Sequence, residues 1–306
     1  MAAVWNYGSI NIDHVYQLTH LVKPGETINS QAYQQLLGGK GANQSVALAK
    51  AGARVQHLGY IGQQDAWVKE ALIGYGVDCK AVELVDEPSG HAIIQVDEQG
   101  ENAIIVFAGA NRSQPIERTL DKMTPQKGDW FVTQNETNEV RQALQHAKAC
   151  GMNTALNPSP FELEFVLDTL PLVDLLVVNE GEFHELLPGV AIESLDDASL
   201  GALQSVITSE WPDKSVVITM GSMGAVWISE DHAFWAAAPK VDVVDTTGAG
   251  DTFLGYLLAG ISQGQSIKAS MQQAVAASAL SVQVVGAAQS IPDQNQVAHY
   301  LASLPA

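Results

Sequence analysis

The chain is 306 residues long and 46% hydrophobic, enough for one large domain or for one domain with a small appendage. Its 34 acidic and 15 basic side chains give a net charge of −19. That balance argues against nucleic acid and against adsorption to an anionic membrane, since both require clustered Lys and Arg. A nucleotide would be repelled at long range, so its binding must rest on local N–H donors, a few cations and bound metal. The two cysteines, Cys79 and Cys150, offer neither a zinc spacing nor a disulfide framework, which fits a reducing cytoplasm. Residues 1–11 lack a basic region followed by a long apolar run, so no secretory signal is expected.

In chain order, residues 4–9 read as a buried strand. Gly8-Ser9-Ile10-Asn11-Ile12-Asp13 follows. Asn11 and Asp13 point to one side if extended, where they can bond vicinal hydroxyls, or they serve only the chemistry of a turn. Gly38-Gly39-Lys40-Gly41-Ala42-Asn43-Gln44 lets the backbone approach a polar ligand, with Lys40 and Asn43 as donors, or simply turns the chain. Residues 43–51, 66–75, 139–149 and 182–187 have helical patterns, and strands are expected at 55–61, 130–133, 154–157, 175–178 and 216–219. This alternation predicts a parallel sheet covered by helices on both faces, with ligands at the carboxyl ends of its strands.

Two stretches break the alternation. Residues 13–35 and 90–107 contain strand-like pieces without helices, and 91–96 and 103–107 flank Asp97-Glu98-Gln99-Gly100 as a hairpin would. They predict a small antiparallel sheet projecting from a single domain, 1–306, with strands drawn from about 13–37 and 90–108. It serves either as a lid or as extra edge strands. Residues 269–292 carry no charge but are interrupted by Gln and Ser, which predicts a packed Ala-rich helix rather than a membrane span. His14, His57, His91 and His184 have no metal spacing, the tryptophans fit core packing, and the acidic run 193–197 reads as a solvated loop opening a helix.

The most informative stretch is Asp245-Thr246-Thr247-Gly248-Ala249-Gly250-Asp251-Thr252-Phe253, followed by an uncharged helical run at 254–262. Free N–H groups at the positive end of a helix suit a phosphate. Asp251 at the helix mouth either takes a proton from an attacking hydroxyl or caps the helix. A dinucleotide fingerprint fails because Phe253 occupies the third glycine position, and there is no Walker A sequence, since Lys40 precedes Gly41.

These two glycine-rich signatures, in this order, resemble those of the ribokinase-type carbohydrate kinases of the phosphofructokinase-B superfamily. The resemblance extends to residues 8–14, Pro24-Gly25-Glu26-Thr27, Gly109-Ala110-Asn111, Leu156-Asn157-Pro158, Asn179-Glu180 and Thr219-Met220-Gly221-Ser222, and so covers nearly the whole chain. It implies a doubly wound α/β fold with a small β lid, and an ATP-dependent sugar kinase whose pattern is nearest to kinases of D-ribose. Relatives acting on fructose, a deoxy sugar, a keto-deoxy acid or a nucleoside, or a sugar sensor without catalysis, are the alternatives. It further implies a sugar site of Asn11, Asp13, Gly39, Lys40, Asn43 and Glu136, with Asp251 as base. Gly248, Ala249 and Gly250 would donate to the phosphoryl group. ATP would meet Asn179, Thr219, Gly221, Ser222, Gly224 and Gly250, with Glu182 near the magnesium ion. The resemblance also implies a potassium site around Asp245, Thr247, Ser281, Val284, Gly286 and Ser290, several of them through carbonyls, and a cytoplasmic homodimer joined through the projecting sheets. Val275, Met223 and Leu254 depart from polar or basic residues expected near the nucleotide.

Overall fold

Side chains in the first strand, β1 (Ala3–Tyr7), alternate between two hydrophobic cores: Val4 enters one and Trp5 the other. A strand apolar on both faces must be covered on both faces, and the rest of the architecture follows from that. The computed structural model describes residues 1–192 and 194–304. The further strands are β2 (Asn11–Gln17), β3 (Ala32–Gly38), β4 (Arg54–Gly62), β5 (Val82–Val85), β6 (Gly90–Val96), β7 (Asn102–Phe107), β8 (Trp130–Gln134), β9 (Asn153–Asn157), β10 (Leu175–Asn179), β11 (Ser215–Thr219), β12 (Gly224–Ile228) and β13 (Ala233–Ala237). The helices are α1 (Lys40–Lys50), α2 (Ala66–Gly74), α3 (Glu117–Leu120), α4 (Val140–Ala149), α5 (Leu163–Thr169), α6 (Glu180–Leu186), α7 (Asp197–Glu210), α8 (Ala249–Ser262), α9 (Ile267–Ser281) and α10 (Gln294–Ser303).

The larger sheet has nine strands in the order β13-β12-β11-β10-β9-β8-β1-β4-β5. Neighbours from β5 to β11 are parallel, and β12 and β13 close one edge antiparallel. Val4, Val132, Val177 and Val217 join Val46 of α1, Leu257 of α8 and Met271 of α9 in one core. Trp5, Phe131, Leu176 and Val216 join Leu144 of α4 and Leu203 of α7 in the other. Strand order reverses between β1 and β8, and such a reversal opens a crevice at the carboxyl ends of the strands.

The smaller sheet has four strands in the order β3-β2-β6-β7. It is mixed, not antiparallel as the sequence predicts, because β2 and β6 pair in parallel while β2–β3 and β6–β7 pair antiparallel. The reason is topological. β2 and β6 both run outward from carboxyl ends of the larger sheet, β1 and β5, so they point the same way. Tyr33, Ile93, Ile104, Ile105, Val106 and Phe107 of this sheet are exposed.

α1 begins at Lys40 and α8 at Ala249, three and five residues earlier than the sequence pattern predicts. The Ala-rich helix expected over 269–292 ends at Ser281. Beyond it, the Val282 carbonyl accepts the N–H groups of Val244 and Asp245, and the Gly286 N–H donates to Asp245, which draws the chain off the helix axis. The acidic run opens α7 with Asp196 as its cap, while Glu193 lies outside the described residues. Among the described residues, no helix is long and apolar enough to cross a membrane.

Candidate active site

Asp251 is the third residue of α8, and Gly248, in the left-handed region with φ 74°, is the N-cap. The capping alternative for Asp251 therefore falls. The residue is 7% exposed, and its carboxylate is bonded to α1. Asn43 Nδ2 donates to Asp251 Oδ2 at 3.1 Å and Gln44 Nε2 to Oδ1 at 2.9 Å. Both donors lie within the first five residues of α1, so the early start of that helix is what brings the two glycine-rich signatures together. Burial pushes the Asp251 carboxyl up to about 6, against the charge of Lys40 and the donors Gln44 and Asn43.

In the turn before Asp251, the Ala249 N–H is committed to Thr246 O at 3.2 Å. The N–H groups of Gly248, Gly250 and Asp251 have no acceptor among the described residues. A Cβ on Gly250 would meet nothing within 4 Å. Free donors thus lie, with open space beside Gly250, at the positive end of a 14-residue helix, where an anion is stabilised.

The sugar-side residues predicted from sequence converge at the crevice. Asn11 and Asp13 share one face of β2. Asn11 Oδ1 accepts from Asn111 Nδ2 at 2.8 Å, so it is held by a tertiary bond rather than by a local turn. Asp13 packs over Gly38, where a Cβ would lie 2.1 Å from its Oδ2, and no described residue donates a hydrogen bond to its carboxylate. Burial, with Glu136 nearby, pushes Asp13 up to about 6. Glu136 Oε2 accepts the Ser9 hydroxyl and, at 3.2 Å, the Lys40 N–H. Gly39, the N-cap of α1 with φ 89°, turns the chain into that helix. Gly8 and Gly41 lie so close that a Cβ on Gly41 would stand 2.4 Å from the Gly8 carbonyl carbon. Lys40 has no carboxylate within 4 Å among the described residues, yet its charge holds down the carboxyls of both Asp251 and Glu182. Asn43 Oδ1 is buried without a partner.

The nucleotide-side residues continue along the same edge. Asn179 and Thr219 end β10 and β11 as register partners. Asn179 and Glu182 form a reciprocal capping box, 2.9 Å from Glu182 N to Asn179 Oδ1 and 2.8 Å from Asn179 N to Glu182 Oε2. Burial raises the Glu182 carboxyl, against the Asn179 N–H and Lys40. Gly221, Ser222 and Gly224 form the following turn, in which the Gly221 and Ser222 surfaces are exposed. Beside it, Trp235 Nε1 donates to Met223 O at 2.7 Å. A cleft of about 470 Å³ lies between β13 and α9, and Val275 is on its wall.

The loops assigned to a cation also meet. Asp245 Oδ1 accepts the Thr247 N–H at 2.9 Å and its hydroxyl at 2.6 Å, and Oδ2 accepts the Gly286 N–H at 2.8 Å. Partial burial raises the Asp245 carboxyl, but these donors outweigh it and hold it below the usual carboxylate range. No described Lys or Arg pairs with it. Ser281 and Ser290 turn their hydroxyls to the Ser278 and Ala287 carbonyls, 2.9 and 2.8 Å, and Val284 is exposed.

Sequence reasoning assigned no role to Gln44, Asn6, Gln134, Ser9 or Asn111, although each bonds a site residue or its loop. The available signal was a polar residue inside or ending an otherwise apolar strand, as at Asn6 and Gln134.

A model of the pfkB family of carbohydrate kinases matches residues 1–294. A ribokinase of Haemophilus influenzae is 35% identical over 301 residues, covering 96% of both chains. A deoxyribokinase of Salmonella typhi is 32% identical over 306 residues, covering 96% of this chain and 97% of its own. Among solved structures, Arabidopsis thaliana ribokinase complexed with ribose and ATP superposes with a TM-score of 0.83 at 28% identity, covering 99% of each chain.

Proposed function

Because the chain belongs to the pfkB family of carbohydrate kinases, we propose that it transfers the γ-phosphate of ATP to the 5-hydroxyl of D-ribose. The observation that carries this is Asp251, a buried residue beside free N–H groups at the open Gly250 turn. Asp251 takes the proton of the attacking hydroxyl, and the Gly248, Gly250 and Asp251 N–H groups, with Lys40, meet the charge that spreads over the phosphoryl oxygens. Asn11 and Asp13 hold ring hydroxyls, and the unpartnered Asn43 Oδ1 accepts one more. The nucleotide extends along Asn179, Thr219 and the 221–224 turn, with its base toward Val275.

Among the described residues there is no group of three His, Cys, Asp or Glu side chains able to hold a metal. One Glu182 oxygen is already bound to Asn179 N–H. These residues fit a magnesium ion ligated by phosphates and water, with Glu182 acting through water; such an ion, when bound, neutralises phosphate charge. Support for ribose is the likeness to ribokinases, and the deoxyribokinase match makes 2-deoxyribose the second candidate. Turnover with ATP across ribose, 2-deoxyribose, fructose, a keto-deoxy acid and a nucleoside tests the assignment. The highest kcat/KM on any other acceptor overturns ribose, and no turnover on any overturns the kinase.

Asp245, negative and without a cationic side chain, fits a potassium ion that also meets backbone carbonyls of 281–290. Potassium should raise the rate at saturating substrates more than lithium at matched ionic strength, which removes general screening. Asp245→Asn should lose most of that response and keep the fold. Equal rates in both salts would show that the occupant does not matter. The exposed apolar strands of the smaller sheet support a homodimer joined there, and a monomer in sedimentation at micromolar concentration would exclude it.

A further inference from the structure

Beneath Asp251 runs a chain of buried amides that the reaction itself does not call for. Gln44 Oε1 accepts from Gln134 Nε2 at 2.6 Å, and the same Nε2 donates to Asn6 Oδ1 at 3.1 Å. Asn6 Nδ2 donates to Gly41 O at 2.8 Å and to Ser45 Oγ at 2.9 Å. Asn6, Gln44 and Gln134 are at most 1% exposed.

The direction of this chain is fixed by backbone. A carbonyl can only accept, so Gly41 O demands the nitrogen of Asn6, which turns Asn6 Oδ1 toward Gln134. Gln134 must then present its nitrogen to both neighbours, and Gln44 must receive it with its oxygen. That leaves the Gln44 nitrogen for Asp251. A second anchor gives the same answer. Asn157 Nδ2 donates to Val177 O at 3.1 Å, so Asn157 Oδ1 accepts, at 3.2 Å, from Gln44 Nε2. Two backbone carbonyls, Gly41 of α1 and Val177 of β10, thus impose one orientation on one side chain. A reversed Gln44 would set its oxygen against the carboxylate and leave buried donors facing each other.

We propose that Gln134 and Asn6 are positioning residues which, through Gln44, fix the amide end that meets Asp251 and so keep its carboxylate in the proton-accepting form. The inference rests on Asp251 as the base. The charged groups facing Asp251 are Lys40 of α1 and Glu136 beyond β8; among the described residues, α9 and β1 present none to it.

Gln134→Met keeps volume and removes the donor. The acid limb of its kcat/KM profile should move up by about one pH unit, so that below the limb it loses about tenfold more than on the alkaline plateau. Gln44→Met should move the limb at least as far. The double variant should move it no further than Gln44→Met alone, because Gln134 acts through Gln44. A loss by one factor at every pH, additive between the two sites, would mean packing alone and overturn the proposal. Should Gln134→Met not fold, Gln44→Met carries the test, and an unmoved limb overturns the proposal. Asp251→Asn, assayed alongside, separates the two levels. Retained turnover in that variant removes the base itself, whereas an inactive variant with unmoved limbs in the glutamine variants removes only the relay.

Discussion

Asp251→Asn is expected to lower kcat by about a hundredfold or more while sugar and ATP still bind in calorimetry. Capping cannot compensate or confuse the result, because Gly248 is the N-cap and Asp251 the third helical residue. The substitution also sets an amide nitrogen among the donors Asn43 and Gln44, so about 1–3 kcal/mol of stability is at stake. Melting must be measured beside turnover. In the wild type, kcat/KM should fall as pH drops through about 6, since the base is active only when ionised and its burial has raised it to that value. Near-wild-type turnover in the folded Asn variant would end the catalytic assignment.

Asp13→Ala should raise KM for the sugar by about tenfold or more, from the loss of a charged acceptor at about 1.5–3 kcal/mol, and leave KM for ATP close to its original value. Burial, with Glu136 nearby, also pushes Asp13 up to about 6. The wild-type decline of kcat/KM for sugar below that pH therefore steepens toward two protons, and in the variant it should flatten toward one. A shift confined to the ATP constant would mean that the sugar and nucleotide sides are reversed.

The sequence made the layered sheet legible wherever strands were apolar on both faces, as in 130–133 and 175–178. It failed at β5, β12 and β13, strands of only four or five residues, two of which form an antiparallel run with β11 that a strand–helix alternation does not announce. The start of α8 was hidden because Gly, Ala, Gly and Asp read as a turn, yet three of them are helical once Gly248 adopts φ 74°. The orientation of the small sheet was hidden for another reason. The hairpin over 91–107 is local, whereas the parallel pairing of β2 with β6 is set by where both leave the larger sheet. Asp251, Asn43, Lys40 and Asp13 were legible from motifs. Asn6 and Gln134 were not, since their importance lies in a bond network joining strands more than a hundred residues apart.

Asn11 and Asp13 ride on β2, in the smaller sheet, and Asp251 rides on α8 against the larger one. An acceptor that is to be deprotonated by one and gripped by the other must reach across both bodies. A sugar carries several hydroxyls with which to do so, and a water molecule is a single oxygen. On the assignment proposed above, a water molecule beside Asp251 lacks the second handhold that aligns an oxygen with phosphorus, and this disfavours idle hydrolysis of ATP.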